Sequence, residues 1–312
     1  MTALRLAVVA CLGFLAVSGA AAACGTAPPS PSPRVEQSAM ANPEPPNPAT
    51  LVRQIALQAD PLGPYRDPTA DERRIAGKAV EELLADPGDT GSHSGAFASL
   101  GFSLTTGTDP VTDRDFALYR ADSSTQRSWG AVLVDLSTKP DLVVEVPHPG
   151  FDVNTDVIGV DLFRARPGSL LLIAGAHRQA SQGQADVAHN DQSMFHAIAT
   201  TLAEHGLPQL QLHGFADANL PDADVAVSNG SAEVVSLHRG IVERLRRSGF
   251  TVCAAWRDEC GRLEGTTNAQ GQAAAEQGEV FVHLEASWSV RGDELRRDQL
   301  VSALAAVAIK RS

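Results

Sequence analysis

The chain has 312 residues, 43% of them hydrophobic and 20% charged, and its 25 Lys and Arg against 37 Asp and Glu give a net charge of −12. This composition excludes a disordered, a collagen-like and a multispan membrane chain. The acidic balance and the 5% aromatic content argue against a nucleic-acid surface, which needs a basic face and stacking rings.

Residues 1–24, MTALRLAVVACLGFLAVSGAAAAC, place one Arg before an apolar stretch that ends in small residues, the pattern of an export signal. Ala21-Ala22-Ala23 before Cys24 resembles a bacterial lipobox, in which Cys24 is acylated and becomes the new N-terminus. The alternative is a simple cleavage that leaves a secreted protein. No later segment reaches the ~18–20 apolar residues of a membrane span. Residues 25–50 are rich in Pro and Ser and predict an extended tether. Behind an acylated Cys24, such a tether holds a folded domain off the membrane to which the lipid anchors it.

The folded part is expected over residues 51–312, with a helical N-terminal portion over 51–90. Thr69 and Glu72 have capping-box spacing and open an apolar-periodic stretch that ends at Pro87-Gly88, predicting a helix over 70–86. Residues 87–113, rich in Gly, Ser and Thr, read as loops. Short β-rich runs follow at 116–121, 129–136, 142–146, 169–175, 210–214, 250–255 and 280–286. Helical stretches at 194–206 and 232–249, each closed by Gly, lie among them. Strands alternating with helices predict an α/β domain with a mostly parallel or mixed sheet flanked by helices. Cys253 and Cys260, with six residues between them in an exported chain, predict a local disulfide.

No G-x-S-x-G, Walker A, G-x-G-x-x-G or H-E-x-x-H motif occurs. The chemistry-bearing residues fall instead where strands end, the edge at which open α/β sheets bind ligands. LVVEV runs into His148, LQL into His213 and FVHL into Glu285, while a fourth strand leads to His177-Arg178. Asp152 and Asp156 follow closely behind His148. Two imidazoles and one carboxylate with an open fourth position form a catalytic zinc set, and Glu285 would then be the proton carrier. Arg178 is suited to grip a substrate carboxylate or to support a developing oxyanion. His189, His205 and His238 read as surface residues, and His283 as a strand residue turned away from Glu285.

Several stretches resemble the N-formylglutamate amidohydrolases. They are His148-Pro149-Gly150 with the following Asn154 to Leu162, Met194 to Ile198, Gln211 to Phe215, and Val282 to Glu285. The His-Gly and Leu-Glu strand ends are also similar to phage-type poly-γ-glutamate hydrolases. The resemblance covers roughly residues 140–290 and implies the zinc-dependent exopeptidase fold. It further implies zinc held by His148, Asp156 and His213, with Asp152 as the alternative carboxylate, and Glu285 as the base. Substrate contacts are implied at Arg178, His196 and Asn268, with His177 beside them. The expected function is an exported zinc-dependent amidohydrolase acting on small-molecule or peptide substrates that carry a carboxylate: γ-glutamyl, peptidyl or cell-wall stem-peptide amides. The competing expectation is a non-catalytic lipoprotein binding module that retains this fold.

Overall fold

The computed structural model describes residues 45–308. The expected export signal, Cys24 and residues 25–44 of the tether lie outside the described residues. Within 45–308, no helix is long and apolar enough to cross a membrane.

Three helices open the domain: α1 (Pro48–Gln58), α2 (Ala70–Ala85) and α3 (Thr90–Ser99). Asn47 caps α1 by accepting the Ala49 and Thr50 N–H groups, so the helix takes in the last residues of the expected tether. α2 starts with the capping box read from the sequence, Thr69 accepting the Glu72 N–H and Glu72 the Thr69 N–H. Then come β1 (Phe102–Thr108), β2 (Asp115–Ala121), β3 (Ala131–Asp135), β4 (Leu142–Val146), α4 (Thr155–Ala165), β5 (Ser169–Ile173), α5 (Met194–Glu204) and β6 (Gln209–Phe215). β7 (Val225–Ser228), α6 (Ser236–Arg247), β8 (Val252–Ala254), α7 (Ala269–Gln277), β9 (Phe281–Ser287), α8 (Trp288–Arg291) and α9 (Glu294–Ala305) complete it.

The strands form one mixed sheet in the order β1-β2-β3-β5-β4-β6-β9-β7-β8. β5, β4, β6 and β9 are mutually parallel. β1, β2 and β3 join antiparallel on one side, and β7 pairs antiparallel with β9 on the other. Residues 87–113, expected as loops, instead supply α3 and β1. The reason is physical: α3 buries only His93 and Phe97, and β1 is an edge strand with one face largely in water. Neither element needs the apolar periodicity that marks a buried one.

Central strands buried on both faces read as continuous apolar runs. Val144 and Val146 of β4 pack into one core with α1, α4, α6 and α9, while Val143 packs into the other with α2, α3 and α5. The same alternation sends Leu210 and Leu212 of β6, and Val282, Leu284 and Ala286 of β9, to the α4 side. Their polar neighbours Glu145, Gln211, His213, His283 and Glu285 therefore share the opposite face. The chain leaves β4 through α4 to reach β5, then crosses back through α5 to β6 on the other side of β4. A crevice at the carboxyl ends of the strands is expected at such a reversal, and the polar residues of β6 and β9 run up to it.

The Cys253–Cys260 disulfide is formed, tying β8 to the loop that follows it. His238, expected at the surface, is fully buried at the start of α6. It accepts the Val235 N–H at Nδ1 and lies 2.9 Å from the Phe281 carbonyl through Nε2, joining α6 to β9.

Candidate active site

The register of β6 against β9 builds the site. His213 pairs with Glu285 and Gln211 with His283, side by side on one face. On the other flank of β6, Glu145 of β4 pairs with Gln211. Two polar rows result. Glu145, Gln211 and His283 lie buried beneath, while His213 and Glu285 lie above them at the strand ends. The expectation that His283 turns away from Glu285 is therefore corrected: residues two apart on a strand share a face, and the His283 ring lies 4.5 Å from that of His213.

His148 follows β4 directly and is buried. Its carbonyl accepts the Asp152 N–H at 2.9 Å, and the tight turn this closes brings Asp152 back beside the imidazole. Asn154, with φ of 71°, then starts α4 and donates to the Arg291 carbonyl. Asp152 Oδ2 stands 3.1 Å from His148 Nδ1 and 3.5 Å from His213 Nδ1. Candidate ligand atoms of His148, Asp152 and His213 lie within 4.8 Å of one another, as do those of His213, His283 and Glu285. Asp156 is not among them. It sits one turn further on, in the first turn of α4, where its carboxylate is paired with Arg53 of α1 at 3.0 Å. The helix start separates the two carboxylates, so the one beside the two imidazoles is Asp152.

Both imidazoles are held from behind. His148 Nε2 lies 2.7 Å from Asp186 Oδ1, and His213 Nε2 lies 2.6 Å from Gln211 Oε1. The Gln211 amide is itself oriented, because its Nε2 donates to Glu145 and Gln270. Burial pushes His213 down to about 4, so it is neutral at pH 7 and carries one N–H. That N–H serves Gln211, which leaves the Nδ1 lone pair facing the Asp152 carboxylate. A neutral imidazole cannot donate to both acceptors. A divalent cation held by His148, His213 and Asp152 would satisfy all three, with the ring nitrogens on the far side anchored by Asp186 and Gln211 as metal-binding histidines normally are. The donor set thus fits zinc: two nitrogens, one carboxylate oxygen and an open position.

Burial opposes ionisation of Asp152, but its hydrogen bond with His148 outweighs it and holds the carboxyl well below its usual range. Burial also opposes protonation of His148, yet Asp152 and Asp186 raise its proton affinity above the ordinary value. Glu285 is pushed well above the usual carboxylate range, first by burial and then by the charge of Asp152. Its Oε2, like His283 Nδ1, is buried without a hydrogen-bond partner among the described residues. His283 is held well below its usual value by burial and by the neighbouring imidazoles.

These groups open on a cavity of about 470 Å³ lined by His148, Arg178, His213, Asn268, His283 and Glu285, with the loop 261–267 as one wall. Arg178 is engaged in an ion pair with Asp186 and lies over the Phe151 ring. Asn268 lines the cavity, but its amide donates to Gln211 Oε1 and its oxygen caps α7. His177 is buried beside Phe151 and accepts the Gln179 N–H; it is not a lining residue. His196 is placed elsewhere altogether: it sits on α5, beside Thr200 and Gln270, and lines a separate surface pocket.

Three functional neighbours had no local sequence signal. Asp186 and Gln211 orient the two imidazoles. Arg291 is buried and donates to the carbonyls of Val153, Phe215 and Ala286, pinning the Asp152 turn to the ends of β6 and β9. Gly214 is required beneath it, since a Cβ there would lie 2.1 Å from the Arg291 Nε.

Glu145 gives a stability prediction. Burial pushes its carboxyl up to about 8, against an ordinary value of 4.5. Between these values the folded chain holds a proton that the unfolded chain has released. Stability from this group is therefore full below the ordinary value and falls as pH rises towards 8, by up to about 1.4 kcal/mol per pH unit. Glu145→Gln has no such proton to lose. Urea denaturation at pH 5 and pH 8 should show the wild type losing roughly 3–4 kcal/mol more than the variant; parallel pH curves would reject the assignment.

No protein-family model and no curated protein matches the chain. Among solved structures it is similar to N-formylglutamate amidohydrolase from Ralstonia eutropha JMP134, with 14% identity and a TM-score of 0.38 over 53% of this chain and 92% of that one. The zinc-free form of YndL is similar at 16% identity and a TM-score of 0.38, over 55% of this chain and 86% of that one. A candidate metallopeptidase from Shewanella denitrificans OS217 is similar at 15% identity and a TM-score of 0.35, over 68% and 87%.

Proposed function

We propose that the chain is a zinc-dependent hydrolase that cleaves an amide bond in a small-molecule or peptide substrate carrying a carboxylate. One observation carries this reading. His148, Asp152 and His213 present converging ligand atoms beside the unpartnered carboxyl of Glu285, and His148, His213 and Glu285 line a single cavity. His148, Asp152 and His213 would hold the zinc, which would supply Lewis-acid polarisation of a carbonyl and a more acidic water.

The protein's own groups do the rest. Asp186 and Gln211 hold the imidazoles so that both Nδ1 atoms face Asp152. Glu285, raised in proton affinity by its burial, accepts a proton from the attacking water as the oxygen bonds to the carbonyl carbon. It then delivers that proton to the leaving nitrogen as the C–N bond breaks, yielding an acid and an amine. Neutral His283, against the His213 ring, keeps this wall of the cavity uncharged. Together with the export signal and lipobox expected at residues 1–24, the reading is of an enzyme working outside the cytoplasm, free or anchored through Cys24.

The test is metal-dependent turnover. Protein stripped with chelator and reloaded should bind one zinc per chain and hydrolyse members of a panel of N-acyl amino acids and γ-glutamyl peptides, with activity lost on chelation and restored by zinc. Stoichiometric zinc without hydrolysis of any panel member would favour the binding-module alternative. Failure to hold zinc would remove the proposal.

A further inference from the structure

We propose that Arg262 is the residue that grips the substrate's carboxylate, presented by a loop that the Cys253–Cys260 disulfide fixes as one wall of the cavity. The proposal rests on the amide-hydrolase reading and adds to it the group that selects the substrate.

Two guanidinium groups line the cavity. Arg178, which the sequence suggested for this task, is already neutralised by Asp186 and stacked on Phe151. Arg262 is exposed on the cavity wall and has no ion pair or hydrogen bond among the described residues. The other ionisable lining groups are the carboxyls of Glu285 and of Glu264, which accepts the Cys260 N–H, and the imidazoles of His148, His189, His213 and His283, of which His148 and His189 are paired with Asp186. A substrate anion entering this cavity meets one uncommitted guanidinium, and Arg is the side chain best shaped to bind a carboxylate through two parallel hydrogen bonds.

The backbone around Arg262 is fixed on both sides. Two residues before it, Cys260 is bonded to Cys253 of β8. Two residues after it, the Glu264 carbonyl accepts the Ser228 hydroxyl. Gly265, with φ of 61°, then packs against the His283 ring, to which a Cβ would come within 2.6 Å. Asn268 closes the segment on Gln211 and α7. The loop is thus packed directly onto the floor of the site while the Arg262 side chain stays free. Such a preorganised arm binds without the cost of ordering a loop.

The test uses zinc-loaded protein and two readouts. Calorimetry with glutarate should show binding to wild type that weakens about 10–100-fold in Arg262→Ala, with partial recovery in Arg262→Lys. The Cys253→Ser/Cys260→Ser double variant should weaken glutarate severalfold, because the arm is no longer held. In kinetics, the kcat/KM ratio between an N-acyl amino acid and its carboxamide should fall by a similar factor in Arg262→Ala, carried by KM. A glutarate Kd within twofold of wild type in Arg262→Ala, or no glutarate binding to wild type, overturns the assignment. If no amide is cleaved by loaded wild type, the hydrolase reading fails while calorimetry still decides the role of Arg262.

Discussion

Glu285→Gln is expected to lower kcat by about 10²–10⁴-fold while zinc content and melting temperature stay at or above wild-type values. The variant keeps the volume and one oxygen of the carboxylate but cannot take up a proton. Nothing structural is lost with the charge, because Oε2 has no hydrogen-bond partner. The buried carboxyl is raised by desolvation and by Asp152, so ionising it costs the folded state at neutral pH, and the neutral amide removes that cost. The pH dependence follows from the same shift. A base raised well above the usual carboxylate range is protonated in acid, so wild-type turnover should rise with pH over a range above that of an ordinary carboxylate. Activity assays with zinc analysis on the same samples check both parts. If turnover falls less than tenfold, another group carries the proton. The nearest candidate, His283, is held well below its usual value and would be a weak base.

The parts of this site that strand periodicity can carry were legible in the sequence. An apolar run ending in His148, another ending in His213 and a third ending in Glu285 each announce a strand whose last side chain is polar. Periodicity cannot say which strands are neighbours. The site exists because β6 and β9, far apart in the chain, pair in the one register that sets His213 beside Glu285. The burial of Glu145 and Gln211 follows from that pairing, and so does the adjacency of His283 to Glu285. The sequence did hold that last fact, since residues 283 and 285 must share a strand face, yet His283 was expected to point away. Asp186 comes from a loop with no pattern of its own, and Arg291 from a four-residue helix. Their roles depend on carbonyls and imidazoles contributed by distant segments. The same limit applies to the fold: α2 announced itself by its capping box, whereas α3 and β1 lie at the margin of the core and carry too few apolar residues to show a period.

The choice between Asp152 and Asp156 turns on one helix start and gives the second large effect. Asp152→Asn should weaken zinc by more than the ~10–100-fold that removing an outer partner of a metal ligand costs, since it takes away the one carboxylate between His148 and His213. Two neutral imidazoles then face the ion without the negative charge that offsets its desolvation. Asp156→Asn should leave zinc binding unchanged and cost about 1 kcal/mol or less of stability. It removes only the pair with Arg53, whose side chain is 42% exposed and whose charge water screens. The asymmetry arises because Asn154 begins α4 between the two residues. That places Asp152 in the turn against His148 and swings Asp156 round to α1. A coupled effect separates ligand loss from misfolding. The Asp152 charge also raises Glu285, so Asp152→Asn should move the Glu285 titration back towards the ordinary carboxylate range in protein that still melts cooperatively. Zinc titration of the two variants in parallel decides the matter. Loss of zinc in Asp156→Asn with retention in Asp152→Asn would mean that the carboxylate on the helix is the ligand, and that the turn at His148 rearranges to bring it in.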